Sequence, residues 1–314
     1  MTRPLILDVD GTLLKNDLTH EMILEAVKRD PTRGPGYLLT GLRDKPRMKQ
    51  DMLDRIRDRL LRGPQPLEPE IVALARATKA DGREVYLCSG SEAGLVRELA
   101  ERHDFIDGAF GTSPTYNMTS ENKAAFLLDQ FPEGFDYAGN STQDFAVWEA
   151  AQSAYAIRPP AGTELTRTAA DESVEILIER PSLSEKLPLV LAGLEIWKLL
   201  TILLPLLIVA VLLGLNATQT FWLILAVAVL FLAANVERML RRVQSDRIGG
   251  SAKKGNPVAG GLLSVPLAVI AYLVLAGTGL FALSLLTPWL ALAVVSVRVL
   301  FWLVSPILKA RRSA

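Results

Sequence analysis

Residues 5–14, LILDVDGTLL, run an apolar strand straight into two carboxylates, Asp8 and Asp10, with Gly11 and Thr12 behind them. In an extended strand, side chains two apart project to the same face, so Asp8 and Asp10 can serve one ligand. Taken alone, such a strand end is either a pair of solvated acids or a place built to hold a cation and attack something. Gly11 permits a sharp turn, and the amides of Gly11 and Thr12 are expected to face an anion.

Working outward from this strand, short β-rich runs alternate with helical patterns. The expected strands are Pro4–Val9, Glu84–Ser89, Gly108–Gly111, Phe135–Ala138 and Ala154–Arg158, with an edge strand at Val174–Ile178. Apolar residues at spacings of three and four predict helices over Pro69–Ala80, Ser91–His103 and Glu121–Phe131. Pro69 suits a first helical position, where no N–H is needed. Ser91 is expected to cap its helix, and Thr119 or Ser120 the helix that carries Lys123. Strand–helix alternation of this kind predicts an α/β fold with a doubly wound parallel sheet. Ligands of such sheets bind at the carboxyl ends of strands, where Asp8, Ser89 and Asn140 fall. Residues 15–65 do not alternate; they are rich in charged helical sequence and predict a small helical cap inserted after the first strand.

The formal net charge of zero hides two unlike parts. Residues 191–314 hold eleven Lys and Arg against three acidic residues, a net of +8, so residues 1–190 carry −8. An acidic first part is a poor nucleic-acid binder, because phosphate contacts need dense Lys and Arg. Cys88 is the one cysteine of the chain, which excludes an internal disulfide; beside Ser89 it reads as a buried strand residue. His20 and His103 have no neighbours at ligand spacing and read as surface or helix-end residues. No secretory leader precedes the first strand, so the first part is expected in the cytoplasm.

Two charge-free stretches, Leu199–Val236 and Gly255–Val297, are each too long for one bilayer crossing of ~20 residues. Their breaks at GLNATQ (214–219) and AGTG (276–279) predict four transmembrane helices. Residues 237–256 read as a loop with six Lys and Arg, and the tail adds Lys309, Arg311 and Arg312. By the positive-inside rule, loop, tail and first domain all lie on the cytoplasmic side, where anionic membrane lipids are partners. Arg298, inside the last apolar run, is expected to snorkel toward that side. The organisation expected is thus a soluble domain over 1–180, a linker over 181–193, and an all-α transmembrane bundle over 194–314.

DVDGTLL, SGS (89–91), NKAAFLL (122–128) and GNSTQD (139–144), in this order, resemble the haloacid dehalogenase (HAD) superfamily of phosphotransferases over residues 3–158. The resemblance implies Asp8 as nucleophile forming an aspartyl-phosphate and Asp10 as general acid, then base. It implies that Ser89 binds a phosphoryl oxygen and that Lys123 neutralises Asp8 and the phosphoryl group. It further implies Mg2+ held by Asp8, the main-chain carbonyl of Asp10, residue 140 and Asp144. The family usually carries an acid where Asn140 stands, so weaker metal affinity is expected.

In the second part, Trp197, Lys198 and Pro205 resemble the start of UbiA-type prenyltransferases. Asp246, Arg247, Lys253, Lys254, Pro257, Ala259 and Gly261 resemble the segment after that family's aspartate-rich motif. Met239 and Arg242 stand where its carboxylates would be, and basic residues attract phosphate instead of chelating Mg2+. The sequence therefore leads to a membrane-anchored, Mg2+-dependent phosphatase acting on a phosphomonoester, either a lipid-linked or a sugar phosphate. Two other readings stay open. One is a non-catalytic regulatory partner of a membrane enzyme; the other is a prenyltransferase completed by oligomerisation.

Overall fold

The computed structural model describes residues 3–60, 63–160, 162, 166–167, 172–248 and 256–297. The chain forms two compact units, Met1–Ile23 with Pro35–Leu183, and Leu24–Gly34 with Ser184–Ala314. In chain order, the strands are β1 (Leu5–Leu7), β2 (Val85–Glu92), β3 (Gly108–Thr112), β4 (Asp136–Gly139), β5 (Ala154–Ile157), β6 (Thr166–Arg167), β7 (Glu172–Ser173) and β8 (Glu175–Ile178). The helices are α1 (Leu18–Arg29), α2 (Gly34–Arg43), α3 (Lys45–Leu60), α4 (Pro69–Ala80), α5 (Ala93–Ala100), α6 (Ser120–Gln130), α7 (Phe145–Ala150), α8 (Leu183–Gly193), α9 (Trp197–Leu212), α10 (Ala217–Ile248) and α11 (Val265–Ser284).

The first unit is the expected α/β architecture. Its sheet has six strands in the order β3-β2-β1-β4-β5-β8, and every pairing is parallel. Buried apolar strands such as Leu5–Leu7 need both faces covered, which parallel sheets obtain from helices. One core cluster places Ile6, Phe135, Tyr137 and Trp148 with Leu127 of α6. β1 lies between β2 and β4, with Leu7 in register with Leu87 and Ala138. The residues just past this register therefore share one edge of the sheet. Where a helical insertion was expected, the chain forms α1, α2 and α3.

One local difference bears on the site. β2 runs to Glu92, so Ser91 belongs to the strand, and the cap of α5 is Glu92, which accepts from the Leu95 amide at 2.9 Å. The hydroxyl of Ser91 is thereby released from capping.

The second unit is helical, and here the structure corrects several expectations. Among the described residues two helices, not four, are long and apolar enough to cross a membrane: α10 and α11. α8 and α9 pass that test only as a pair bent by 56°. The expected linker over 181–193 is largely helix α8, with Pro188 inside it. The bend falls at residues 194–196, where Glu195 takes a left-handed φ of 50°. AGTG does not break the second apolar run; it lies inside α11. A Cβ on Gly279 would stand 2.6 Å from Cγ of Leu230, so this glycine admits a neighbouring helix rather than a turn. A shorter apolar helix follows over Pro288–Val297, and Arg298 and the basic tail lie outside the described residues.

The basic stretch expected as a loop is helical as far as Ile248. No Gly or Pro interrupts it, and Glu237–Arg241 and Arg242–Asp246 pair at helical spacing, at 2.6 and 3.3 Å. At 1.5 Å per residue, the 32 residues of α10 extend ~48 Å, well beyond a hydrocarbon core of ~30 Å. The charged end of the helix is thus the part that exceeds the apolar thickness. Lys253 and Lys254 lie outside the described residues.

Candidate active site

Asp8 follows β1 directly and is buried, its amide donating to the Ala138 carbonyl at 2.9 Å. Lys123, on the first turn of α6, donates to Asp8 Oδ1 at 2.9 Å, and Thr12 Oγ1 lies 3.3 Å from Oδ2. Burial pushes Asp8 up to about 6, against the pull of Lys123. Burial alone would lower the lysine, but Asp8 and Asp144 raise it, so it stays charged. At pH 7 this buried pair is therefore an ion pair.

Asp10 sits two residues on. Its Oδ1 accepts from the Leu18 amide at 2.6 Å. Its Oδ2 accepts from Ser91 Oγ at 2.7 Å and from Ser89 Oγ at 3.1 Å. Burial, then the charges of Asp17 and Asp8, push Asp10 up to about 7. Two carboxylates one residue apart are thus given different tasks by their surroundings. Asp8 is ionised against a lysine, and Asp10 exchanges a proton near neutral pH.

Asp17 was not among the expected site residues. It caps α1 through the His20 amide at 2.9 Å and pairs with His20 Nδ1 at 3.0 Å. That hydrogen bond raises the imidazole, and His20 stands in the first turn of α1, a helix-end residue as expected. His103 stacks on Phe105 with centroids 5.3 Å apart, away from these residues. Cys88 is fully buried, and burial pushes its thiol up to about 12, which suits a strand residue rather than a nucleophile.

The structure gathers Asp8, Asp10, Ser89 and Lys123 as the sequence led one to expect, with two differences in use. Ser89 donates to Asp10. The amides of Gly11 and Thr12 close the loop on Asn16 and Val9 carbonyls, at 3.1 and 3.3 Å, rather than facing outward. Two further residues join them. Ser91 looked like a helix cap in sequence. Tyr137 looked like one more apolar strand residue, yet its hydroxyl lies 2.9 Å from Lys123 Nζ and 2.5 Å from Asp144 Oδ1. No spacing rule would have found Tyr137.

The side chains expected to hold Mg2+ are largely committed to protein donors. Asp144 Oδ2 takes the amides of Asn140 and Ser141 and the Ser141 hydroxyl, at 3.0, 2.9 and 2.9 Å. Its Oδ1 takes Tyr137 and, at 3.4 Å, Lys123. Both side-chain oxygens of Asp10 are likewise engaged, though the resemblance asked only for its main-chain carbonyl. Asn140 is neutral; its side-chain amide lies against Gly11, whose added Cβ would meet Nδ2 at 2.1 Å. Among the described residues no three His, Cys, Asp or Glu side chains converge as a metal-binding group. Of the four expected ligands, Asp8 is left as the one charged group not saturated by protein donors, whereas Mg2+ asks for several hard oxygens in near-octahedral order.

No protein-family model matches the sequence. An uncharacterized protein of Sinorhizobium fredii (strain NBRC 101917 / NGR234), y4nM, is 30% identical over 295 residues, covering 92% of this chain and 56% of that protein. The chain thus spans about half the length of the curated relative it matches. Among solved structures, the chain is similar to a protein of unknown function from Bordetella pertussis Tohama I, at 16% identity and a TM-score of 0.44, covering 58% of this chain and all of that one. A HAD-family hydrolase from Salmonella enterica serovar Typhi gives 20% identity and a TM-score of 0.38, covering 50% and 63% of the two chains. CbbY from Rhodobacter sphaeroides, solved with xylulose-(1,5)bisphosphate, gives 16%, 0.41, 56% and 94%. At TM-scores below 0.5 such likenesses decide nothing by themselves, and the chemistry of this chain rests on the geometry of its site.

Proposed function

We propose that the first unit is a HAD-type phosphatase domain that hydrolyses a phosphomonoester through an aspartyl-phosphate, and that the helical unit anchors it to a membrane. The observation that carries this is the pairing of an ionised Asp8, held by Lys123 at 2.9 Å, with an Asp10 that titrates near pH 7. In the first step an Asp8 oxygen attacks phosphorus as the phosphorus–oxygen bond to the leaving group breaks. The leaving oxygen takes the Asp10 proton. Lys123 offsets the negative charge of the phosphoryl oxygens in a site from which water is largely excluded. In the second step water attacks phosphorus, Asp10 accepts its proton, and Asp8 is released with inorganic phosphate. HAD-superfamily enzymes typically use Mg2+; of the acids expected to hold it, only Asp8 is left as a charged donor.

Two apolar helices of membrane-spanning length, and a third apolar element bent at 194–196, support the anchor. Arg238, Arg241, Arg242 and Arg247 at the far end of α10 support a cytoplasmic position for that end. Sugar phosphates and lipid-linked phosphates are the substrate classes proposed, and nucleic acid is not. A second reading, a regulatory domain without turnover, is favoured by one observation: Asn140 stands where the family has an acid.

Hydrolysis of p-nitrophenyl phosphate by the detergent-purified protein, with and without Mg2+ and beside Asp8→Asn, tests the proposal. Turnover that disappears in the variant is the expected result. If neither aryl, sugar nor polyprenyl phosphates are hydrolysed, the regulatory reading replaces it.

A further inference from the structure

Asp144 and Tyr137 are more completely committed than a metal ligand and a strand residue need to be. Asp144 is 1% exposed and Tyr137 is fully buried. A carboxylate offers about four acceptor directions, and five donors surround this one: two amides and a hydroxyl on Oδ2, a phenol and an ammonium on Oδ1. Gly139 makes the approach possible, since a Cβ there would stand 2.7 Å from Cγ of Asp144 and 2.8 Å from Cε1 of Tyr137.

The protons of Lys123 are accounted for in the same way. An ammonium has three, and the three acceptors within reach are Asp8 Oδ1, Tyr137 Oη and Asp144 Oδ1, at 2.9, 2.9 and 3.4 Å. Tyr137 has a single proton. Given to Asp144 at 2.5 Å, it leaves the phenol a lone pair that can face only as an acceptor toward Lys123. Lysine, tyrosine and aspartate therefore close a ring in which each hydrogen bond has one permitted direction. The remaining vertex points the ammonium at Asp8.

We infer that Tyr137 is a positioning residue for the reaction, and that Asp144 completes the seat of Lys123 rather than serving as a metal ligand. The inference rests on the phosphatase reading for its consequence, because there Lys123 must meet the phosphoryl group on Asp8. For Asp144 to bind a cation directly, it would have to surrender the tyrosine or the main-chain donors in a buried place, where an unpaired group is costly.

Three measurements on the full-length protein in detergent test this, with Tyr137→Phe, Asp144→Asn and Asp8→Asn beside the wild type. Mn2+ alone, followed by the electron paramagnetic resonance of the free ion, reads metal binding without turnover. Asp8→Asn, which removes the charged donor itself, is expected to abolish Mn2+ binding, and Asp144→Asn to weaken it far less. Absence of any Mn2+ binding by the wild type gives the same answer for Asp144. Steady-state kinetics on p-nitrophenyl phosphate are expected to show kcat of Tyr137→Phe down about 10- to 100-fold with KM nearly constant, as fits a Lys123 less well held against the phosphoryl group in the transition state. Reductive methylation read by mass spectrometry is expected to leave Lys123 unmodified in the wild type and to label it in Tyr137→Phe.

A tenfold loss of Mn2+ affinity in Asp144→Asn would make Asp144 a ligand and overturn its half of the inference. Wild-type kcat together with a protected Lys123 in Tyr137→Phe would overturn the other half. If the wild type does not hydrolyse the aryl phosphate, the phosphatase reading has failed. The Mn2+ and methylation results then still decide where Asp144 and Tyr137 belong. Should Asp144→Asn not fold, Tyr137→Phe, which removes only a hydroxyl, carries the test.

Discussion

The two units bury polar side chains to opposite ends. In the α/β unit, Asp8, Thr12, Ser89, Ser91, Lys123 and Asp144 are buried together around the ends of β1, β2 and β4. They bond mostly to one another. In the helical unit the buried Asn256 bonds to the Met239 carbonyl, Asp246 and the amides of Val258 and Ala259, and the buried Arg247 to the Ala259 carbonyl. These groups tie the chain to itself. A buried polar residue that spends its capacity on main chain is scaffolding. A cluster that spends it on other ionisable side chains holds charges poised against each other, as a reaction centre requires.

The sharpest way to break this contrast is Asp8→Asn, which is expected to cut turnover by at least ~10⁴-fold while leaving the fold intact. Asp10→Asn is next, with an expected loss of ~10²–10⁴ in kcat. The same variant should melt at a higher temperature at pH 8. Its acid is held in the folded state at about 7, above its ordinary value, so the folded form binds the proton more tightly. Stability from this group is full below about pH 4 and is lost as pH rises through 7, and removing the acid removes that loss. For the wild type, kcat/KM should rise through about 6 as Asp8 ionises and fall above about 7 as Asp10 loses its proton, with the two limbs belonging to the coupled pair.

In the helical unit the signs reverse. Asn256→Ala should cost about 1–3 kcal/mol in stability, through unpaired main-chain groups, and leave kcat unchanged. Thermal melts beside kinetics check both. Smallest of all is Arg241→Gln, which removes an exposed helical pair and is expected to shift stability by less than about 0.5 kcal/mol. A large kinetic effect from either would mean that the two units do not differ in this way.

Much of the α/β unit was legible because strand ends are punctuated by short polar residues and turns. DVDGT and SGS mark where β1 ends and where the tip of β2 lies, and helix periodicity marks α4 and α6 within a residue or two. Ser91 escaped because serine before a helix reads as a cap, and only the extra length of β2 turned it toward Asp10. Tyr137 escaped because burial on β4 and a hydrogen bond across to α6 are tertiary facts. The helical unit was harder to read for a different reason. Glycine and a dense run of charge both resemble breaks in sequence. Gly279 proved to be a contact point, and the run after Val236 proved to be a helix held by pairs four residues apart.

The closeness of Gly11 and Asn140 has a consequence for how this site can vary. With the amide of Asn140 pressed against the place where any Cβ at position 11 would stand, the outline of residue 140 is dictated by its neighbour. Asparagine and aspartate share that outline. Exchange between them alters one unit of charge and almost nothing else, so position 140 is sterically frozen and electrically free. It fixes the shape of this corner of the sheet tip while leaving its charge open to exchange.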